Sequence, residues 1–153
     1  MKKPEISVAN VHPTRKKVLF VCMGNACRSP MAESIARRAA ADVIAACSAG
    51  LSPLGFLPEL TTETLRTNGC AIEGLCSTPI TREVWDAADV VINMSGIPKE
   101  RAFRDHQKVE DWDVRDPYGE DTAVYQTIYE DIHRRVTRLA ARLRNAVAHR
   151  VVK

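Results

Sequence analysis

Residues Val18 to Glu33, VLFVCMGNACRSPMAE, constrain this chain more than any other stretch, because they join a buried strand to a helix through a short polar loop. Val18, Leu19, Phe20 and Val21 form a short apolar run followed by Gly24 and Asn25, which is the pattern of a strand buried on both faces. Ser29 then stands at the N-cap position and Pro30 at the first helical position. Glu33 is placed in the first turn, with Met31, Ile35 and Ala39 continuing an apolar stripe. A helix therefore begins where the loop ends.

In such a loop the unpaired backbone N–H groups and the positive end of the helix dipole converge on one point, and Gly24 lets the chain turn closely around it. That point favours an anion of the phosphate type. Cys22 sits beneath it, and Arg28 can grip two anion oxygens with its planar fork. The positive surroundings favour the thiolate, the form that attacks, and Ser29 is the nearest hydroxyl donor to it. These residue types in this order point to nucleophilic chemistry on phosphorus.

Spacing alone does not carry that conclusion, because a second Cys-x5-Arg match runs from Cys76 to Arg82. Its intervening residues contain no glycine and no apolar strand leads into them, so no N–H cradle is expected there. A phosphoryl-cysteine reaction also needs a proton donor for the leaving group and later a base for water. Asp116 is the best candidate, held extended by Pro117 after a terminal strand near Val109–Trp112. Taken alone, Asp116 to Gly119 reads as a turn; the anion loop reverses that reading.

Together these features resemble the low-molecular-weight protein tyrosine phosphatase family, which includes bacterial arginine phosphatases and has arsenate reductases as close relatives. The resemblance is carried by Cys22 through Ser29 with Pro30 to Glu33, by Ser48-Ala49-Gly50, by Ala88-Asp89 through Met94, and by Asp116-Pro117. It covers residues 16 to 147. It implies Cys22 as nucleophile, Arg28 as transition-state clamp and Asp116 as general acid and then base. Asn25 would hold the loop in shape and Ser29 would support the thiolate. Met23, Gly24, Asn25, Ala26, Cys27, Ser29 and Tyr118 are the expected substrate-binding residues. The implied reaction is metal-free and cofactor-free hydrolysis of phosphotyrosine in proteins, or of an aryl phosphate, through a phosphocysteine.

The resemblance leaves rivals open. In that family the residue before the second loop cysteine is typically isoleucine in tyrosine-specific members and threonine in arginine-specific ones, whereas here it is Ala26. Arsenate reduction needs further cysteines to relay electrons, and related reductases carry the first just after the third strand. This chain reads Met94-Ser95-Gly96 there. A phosphate-binding module without turnover is the third reading. Tyr118 and the loop from Leu51 through Leu54 to Phe56 are expected to wall the pocket, an apolar-sided slot suited to an aryl phosphate. Gly119, where the eukaryotic pattern has a tyrosine, points to a bacterial member.

A chain of 153 residues, 45% hydrophobic with a formal charge of +3, is sufficient for one compact domain and calls for neither nucleic acid nor membrane. No apolar run approaches the roughly 18 residues of a spanning helix, so a cytoplasmic protein, a monomer or weak dimer, is expected. The four histidines are scattered, which disfavours a metal site. The five cysteines lack metal or disulfide spacing. Cys47 reads as a small core residue on an inner strand, and Cys27 as a thiol able to close a reversible disulfide with Cys22.

Alternating strands and helices predict an α/β fold: a single three-layer domain with a central four-stranded parallel sheet flanked by helices on both faces. Residues 1–15 read as a tail and 16–153 as the catalytic domain. Strands are expected at Val18–Val21, Val43–Cys47, Val90–Asn93 and near Val109–Trp112, and helices near 30–41, 58–68, 81–87 and 123–148. In the last helix Tyr125, Ile128, Tyr129, Ile132, Val136, Leu139 and Leu143 form a core-facing stripe, leaving its arginines as a solvated face.

Overall fold

The computed structural model describes residues 15–152, so the expected tail lies, apart from Arg15, outside the described residues. Strand β1 (Lys16–Cys22) is followed by helix α1 (Arg28–Ala39), strand β2 (Ile44–Gly50), helices α2 (Glu59–Thr67) and α3 (Arg82–Ala87) and strand β3 (Val90–Asn93). A short helix α4 (Lys99–Ala102), strand β4 (Val109–Asp111) and the long helix α5 (Thr122–Val152) complete the chain. All pairings are parallel and the strand order is β2-β1-β3-β4.

Side-chain alternation along β1 builds the layers. Val18, Phe20 and Cys22 face a core shared with Met31 and Ile35 of α1, Leu65 of α2 and Tyr125, Ile132 and Val136 of α5. Leu19 and Val21 face the other way, toward Ala49, Val91, Val109 and Phe103, with Trp85 of α3 packed against them. Both faces of β1 are therefore covered, which is why its sequence is a continuous apolar run rather than an alternating one. The stripe on α5 is buried as expected, with Leu143 only half-buried.

Several expectations are corrected. Strand β2 lies at an edge of the sheet, so Cys47 is half-buried rather than an inner-strand core residue. Helix α1 begins at Arg28 with Cys27 at its N-cap, not with Ser29 there, and no side chain caps it. Glu33 consequently lies beyond the first turn, and Ala39 is exposed while Ala32, Ala36 and Ala40 join Met31 and Ile35 in the core. Helix α4, one turn long, has no periodicity by which the sequence could announce it.

The fold places the end of β1 at the centre. From β1 the chain moves first to its neighbour β2 and then crosses to β3 on the other side, so the crevice at the carboxyl end of β1 is a topological switch point, where α/β sheets hold their ligands. The distal half of α5 is fastened to both sheet edges. Arg144 makes a bidentate pair with Asp42, just before β2, at 2.7 and 2.9 Å, and Arg142 pairs with Glu110 of β4 at 2.8 Å.

Both carboxyls titrate below their ordinary values. At Asp42 the Arg144 hydrogen bonds are the main cause, whereas at Glu110 burial pushes upward but Arg142 and the Trp112 indole outweigh it. A depressed carboxyl contributes stability above its unfolded value, and that contribution disappears as the pH falls through the folded one. Asp42→Asn and Glu110→Gln are each expected to cost about 0.5 kcal/mol at pH 7. Denaturant unfolding from pH 7 to 3 should show both variants losing less stability than wild type on acidification.

Candidate active site

The loop between β1 and α1 holds its shape through hydrogen bonds that take its carbonyl oxygens outward. Cys22 O accepts from Leu51 N at 3.1 Å, Met23 O from Ser52 N at 2.8 Å and Gly24 O from Leu54 N and Ser77 Oγ, each at 2.9 Å. Ala26 O accepts from the buried Thr61 hydroxyl at 2.8 Å. The amides of Met23 to Cys27 donate to no acceptor among the described residues. A concave set of free N–H groups at a helix N-terminus is an anion cradle.

The left-handed residue of the loop is Asn25 (φ +47°), not Gly24, to which the sequence reading gave the tight turn. Asparagine tolerates this region because its short side chain can bond locally. Here its Oδ1 accepts from Thr78 N at 2.9 Å and its Nδ2 donates to Ser29 Oγ at 2.7 Å and to Ser48 Oγ at 3.0 Å. Ser29, inside α1 rather than capping it, lies 3.0 Å from Cys22 Sγ through its hydroxyl and 3.4 Å through its amide. Asn25 and Ser29 are fully buried behind the pocket rather than in its lining.

Arg28 is 5% exposed. Its Nη1 donates to the carbonyls of Met94, at 2.5 Å, and Val114, at 3.2 Å, which follow β3 and β4. Nη2 stands 3.5 Å from Asp116 Oδ2, and the buried Nε has no partner. One side of the guanidinium is thus anchored, and the Nε–Nη2 side is left to bind. Asp116 is half exposed, and its Oδ1 accepts from Tyr118 N at 3.1 Å, an Asx-type turn that fixes the carboxylate over the pocket.

These groups share a cavity of about 250 Å³. Of the expected site residues, Cys22, Met23, Gly24, Ala26, Cys27, Arg28, Asp116 and Tyr118 line it, together with Ser52 and Leu54. Leu51 instead packs on the opposite core and Phe56 is not in the lining. Cys27 Sγ lies 3.4 Å from the Tyr125 hydroxyl, and burial pushes its thiol up. Burial likewise pushes the Tyr125 phenol up. The control match from Cys76 to Arg82 forms no cradle: Cys76 is exposed, and Thr81 caps α3 by accepting from Val84 N. Among the described residues no cluster of His, Cys, Asp or Glu is arranged to hold a metal, and no helix is long and apolar enough to cross a membrane.

Sequence reasoning assigned no physical role to Ser48, Gly50, Thr61, Ser77 or Thr78, which support the loop from β2, α2 and the segment before α3. The one available signal was Gly50 at the end of an alanine-rich strand. A Cβ there would stand 2.9 Å from Asn25 N, Asn25 Cβ and Met23 O, mostly fixed backbone.

The fold agrees with the comparisons to known proteins. The family model described as low molecular weight phosphotyrosine protein phosphatase matches residues 17–149. The chain belongs to that family. The glutaredoxin arsenate reductase of Synechocystis sp. is 36% identical over 132 residues, covering 84% of this chain and 98% of the relative. A probable low molecular weight protein-tyrosine-phosphatase, EpsP, of Ralstonia nicotianae is 28% identical, covering 84% of this chain and 97% of its own length. Among solved structures, the YwlE arginine phosphatase from Geobacillus stearothermophilus superposes with a TM-score of 0.79 at 26% identity, covering 88% of this chain and 96% of that one.

Gly50→Ala is expected to destabilise the protein by about 1–3 kcal/mol, the usual cost of overpacking against atoms that cannot move aside. Chemical denaturation measures the loss, and sulfate or phosphate should protect the variant less than wild type because the displaced atoms belong to the cradle.

Proposed function

We propose that this protein is a metal-independent cysteine phosphatase acting on phosphotyrosine in proteins or on related aryl phosphates. The observation that carries the reading is the meeting, in one cavity, of the Cys22 sulfur, the Nε–Nη2 side of Arg28, whose Nε has no partner, and the Asp116 carboxyl. The phosphoryl group sits in the cradle with its oxygens on the loop amides and on Nε and Nη2 of Arg28. The Cys22 thiolate attacks phosphorus, the S–P bond forms as the P–O bond to the leaving group breaks, and Asp116 protonates that oxygen. Asp116, now ionised, takes a proton from water, which attacks phosphorus, releases phosphate and returns the thiolate.

Apolar walls support the aryl choice. Leu54 and Tyr118 flank the cavity, and among the described residues Arg28 and Asp116 are the charged side chains of its lining. A phosphoarginine substrate would bring a further guanidinium into a slot whose one carboxylate already serves Arg28. Arsenate reduction is the second reading, favoured by the 36% identity to the Synechocystis reductase. It asks for a resolving thiol near Cys22. Cys27 is the other thiol in the pocket lining, while Cys70 is buried against Tyr129 at 3.3 Å and the segment after β3 carries none.

Cys22→Ser should abolish phosphate release while inorganic phosphate still binds, since the amides and Arg28 remain. Full activity in that variant would remove the nucleophile assignment. Asp116→Ala should slow alkyl or phenyl phosphates by about 10²–10⁴-fold and p-nitrophenyl phosphate much less, the mark of a lost general acid. Phosphotyrosine and phosphoarginine peptides assayed side by side, with arsenate reduction measured in a thioredoxin- or glutaredoxin-coupled assay, rank the three activities directly.

A further inference from the structure

Asp116 is carried by a segment that leaves the sheet after β4, and the anchors of that segment are on its backbone. Trp112 N donates to Asn93 O at 2.9 Å, extending the pairing of β4 with β3 by one residue. The next two carbonyls are each taken by an arginine. Asp113 O accepts from Arg135 Nη2, on α5, at 2.9 Å, and Val114 O accepts from Arg28 Nη1, at the start of α1, at 3.2 Å. Beyond them, among the described residues, the backbone from Arg115 to Glu120 bonds only within its own turn, Glu120 N to Pro117 O and Tyr118 N to the Asp116 carboxylate. The Asp116 side chain meets the body of the protein through Arg28, whose Nη2 stands 3.5 Å from its Oδ2.

A bound anion affects these anchors differently. In the reaction proposed above, Nη2 of Arg28 serves a phosphoryl oxygen, and a donor turned to that oxygen is withdrawn from Asp116. The carboxyl then keeps its place over the leaving group through the backbone that carries it. Two successive peptide planes set φ and ψ of the residue between them. Arg135 fixes the plane before Val114 and Arg28 the plane after it, so neither anchor replaces the other. Arg135 also has no part in holding the anion, because it is not in the cavity lining. Its Nε donates to Asp131 Oδ1, one helical turn earlier, at 2.9 Å. The guanidinium is a rigid planar fork, so the carboxylate that fixes Nε also fixes the direction of Nη2. Arg135 therefore holds the Asp113–Val114 peptide whether the cradle is empty or filled.

We propose that Arg135, oriented by Asp131, is a positioning residue for Asp116: it fixes the peptide from which the acid segment departs, so that the carboxyl stays over the leaving-group oxygen once Arg28 has turned to the phosphoryl group. This rests on the reading of Asp116 as the general acid. Arg135 acts at a distance, through the backbone of Asp113 and Val114, and touches neither the cradle nor the substrate. Its loss should weaken proton transfer to the leaving group and leave anion binding alone.

The test is kcat/KM on phenyl phosphate and on p-nitrophenyl phosphate for wild type, Arg135→Leu, Arg135→Lys and Asp116→Ala, beside competitive inhibition by inorganic phosphate. A misplaced acid slows the poor leaving group and spares the good one. Arg135→Leu should lose about fivefold on phenyl phosphate, the effect of one ordinary hydrogen bond, and less than about twofold on p-nitrophenyl phosphate. Inhibition by phosphate should not change, since the cradle and Arg28 are intact. Arg135→Lys keeps a donor for Asp113 O and should stay within about twofold of wild type on both substrates. Equal losses on the two substrates in Arg135→Leu, or no loss, overturn the proposal while Asp116→Ala still separates them. If Asp116→Ala does not separate them, the acid reading has failed and this proposal with it. Should Arg135→Leu not fold, Asp131→Ala, which frees Nε and keeps the guanidinium, carries the same test, and an unchanged ratio of the two substrates in it overturns the proposal equally.

Discussion

A loop that turns its amides inward must turn its carbonyls outward, and each carbonyl then needs a donor from the rest of the protein. Everything beside the cradle can be read as an answer to that demand. The turn after β2 supplies the amides of Leu51, Ser52 and Leu54, the segment before α3 supplies the Ser77 hydroxyl, and α2 supplies Thr61. Each such bond contributes only about 1 kcal/mol net, but leaving a buried partner unmatched costs roughly 1–3 kcal/mol. The donors are therefore required by the shape of the loop, although none of them need touch a substrate.

Arg28 places the opposite demand on the opposite side. Its buried charge needs acceptors, and these come from the carbonyls that follow β3 and β4 and from Asp116 on the loop beyond β4. The strand order explains the division of labour: β2, on one side of β1, brings donors to the loop, while β3 and β4, on the other, bring acceptors to the arginine. Asn93 at the end of β3 reinforces this second side by donating to Asp111 Oδ1 and to Ile97 O, each at 2.8 Å, which holds the segment carrying the Met94 carbonyl. The cavity lies where the two supplies meet.

The sequence was most legible where one local pattern fixes both structure and chemistry. The run Val18–Val21, the glycine and asparagine, and the arginine at the start of α1 announced the strand, the loop and the helix, and eight of the expected site residues line one cavity. Composition and periodicity were enough for the layers and the long helix. They failed where long-range pairing decides. Nothing local says that β2 is an edge strand, so Cys47 was misplaced, and nothing local distinguishes Ser29 as an N-cap from Ser29 inside the helix, where its hydroxyl reaches Cys22. The close turn was expected at Gly24, yet the left-handed residue is Asn25, held by three hydrogen bonds on its side chain.

The relatives named as tyrosine phosphatase, arginine phosphatase and arsenate reductase suggest what such a scaffold leaves open. A cradle of amides and one arginine recognises a tetrahedral oxyanion and nothing more, so the distinction between activities must lie in groups outside it. For hydrolysis that group is an acid–base over the leaving atom, the role proposed above for Asp116, which lines the cavity. For reduction it is a train of thiols, and the thiols of this chain are dispersed: Cys47 on the β2 edge, Cys70 against Tyr129, Cys76 exposed. Cys27 alone joins Cys22 in the lining, and its sulfur is engaged by Tyr125 and pushed toward the neutral thiol by burial. A neutral thiol is a poor attacking group. Under the hydrolase reading proposed above, the balance of groups around the cradle favours water, with Asp116 as its base, over a second sulfur as the partner that resolves the proposed intermediate on Cys22.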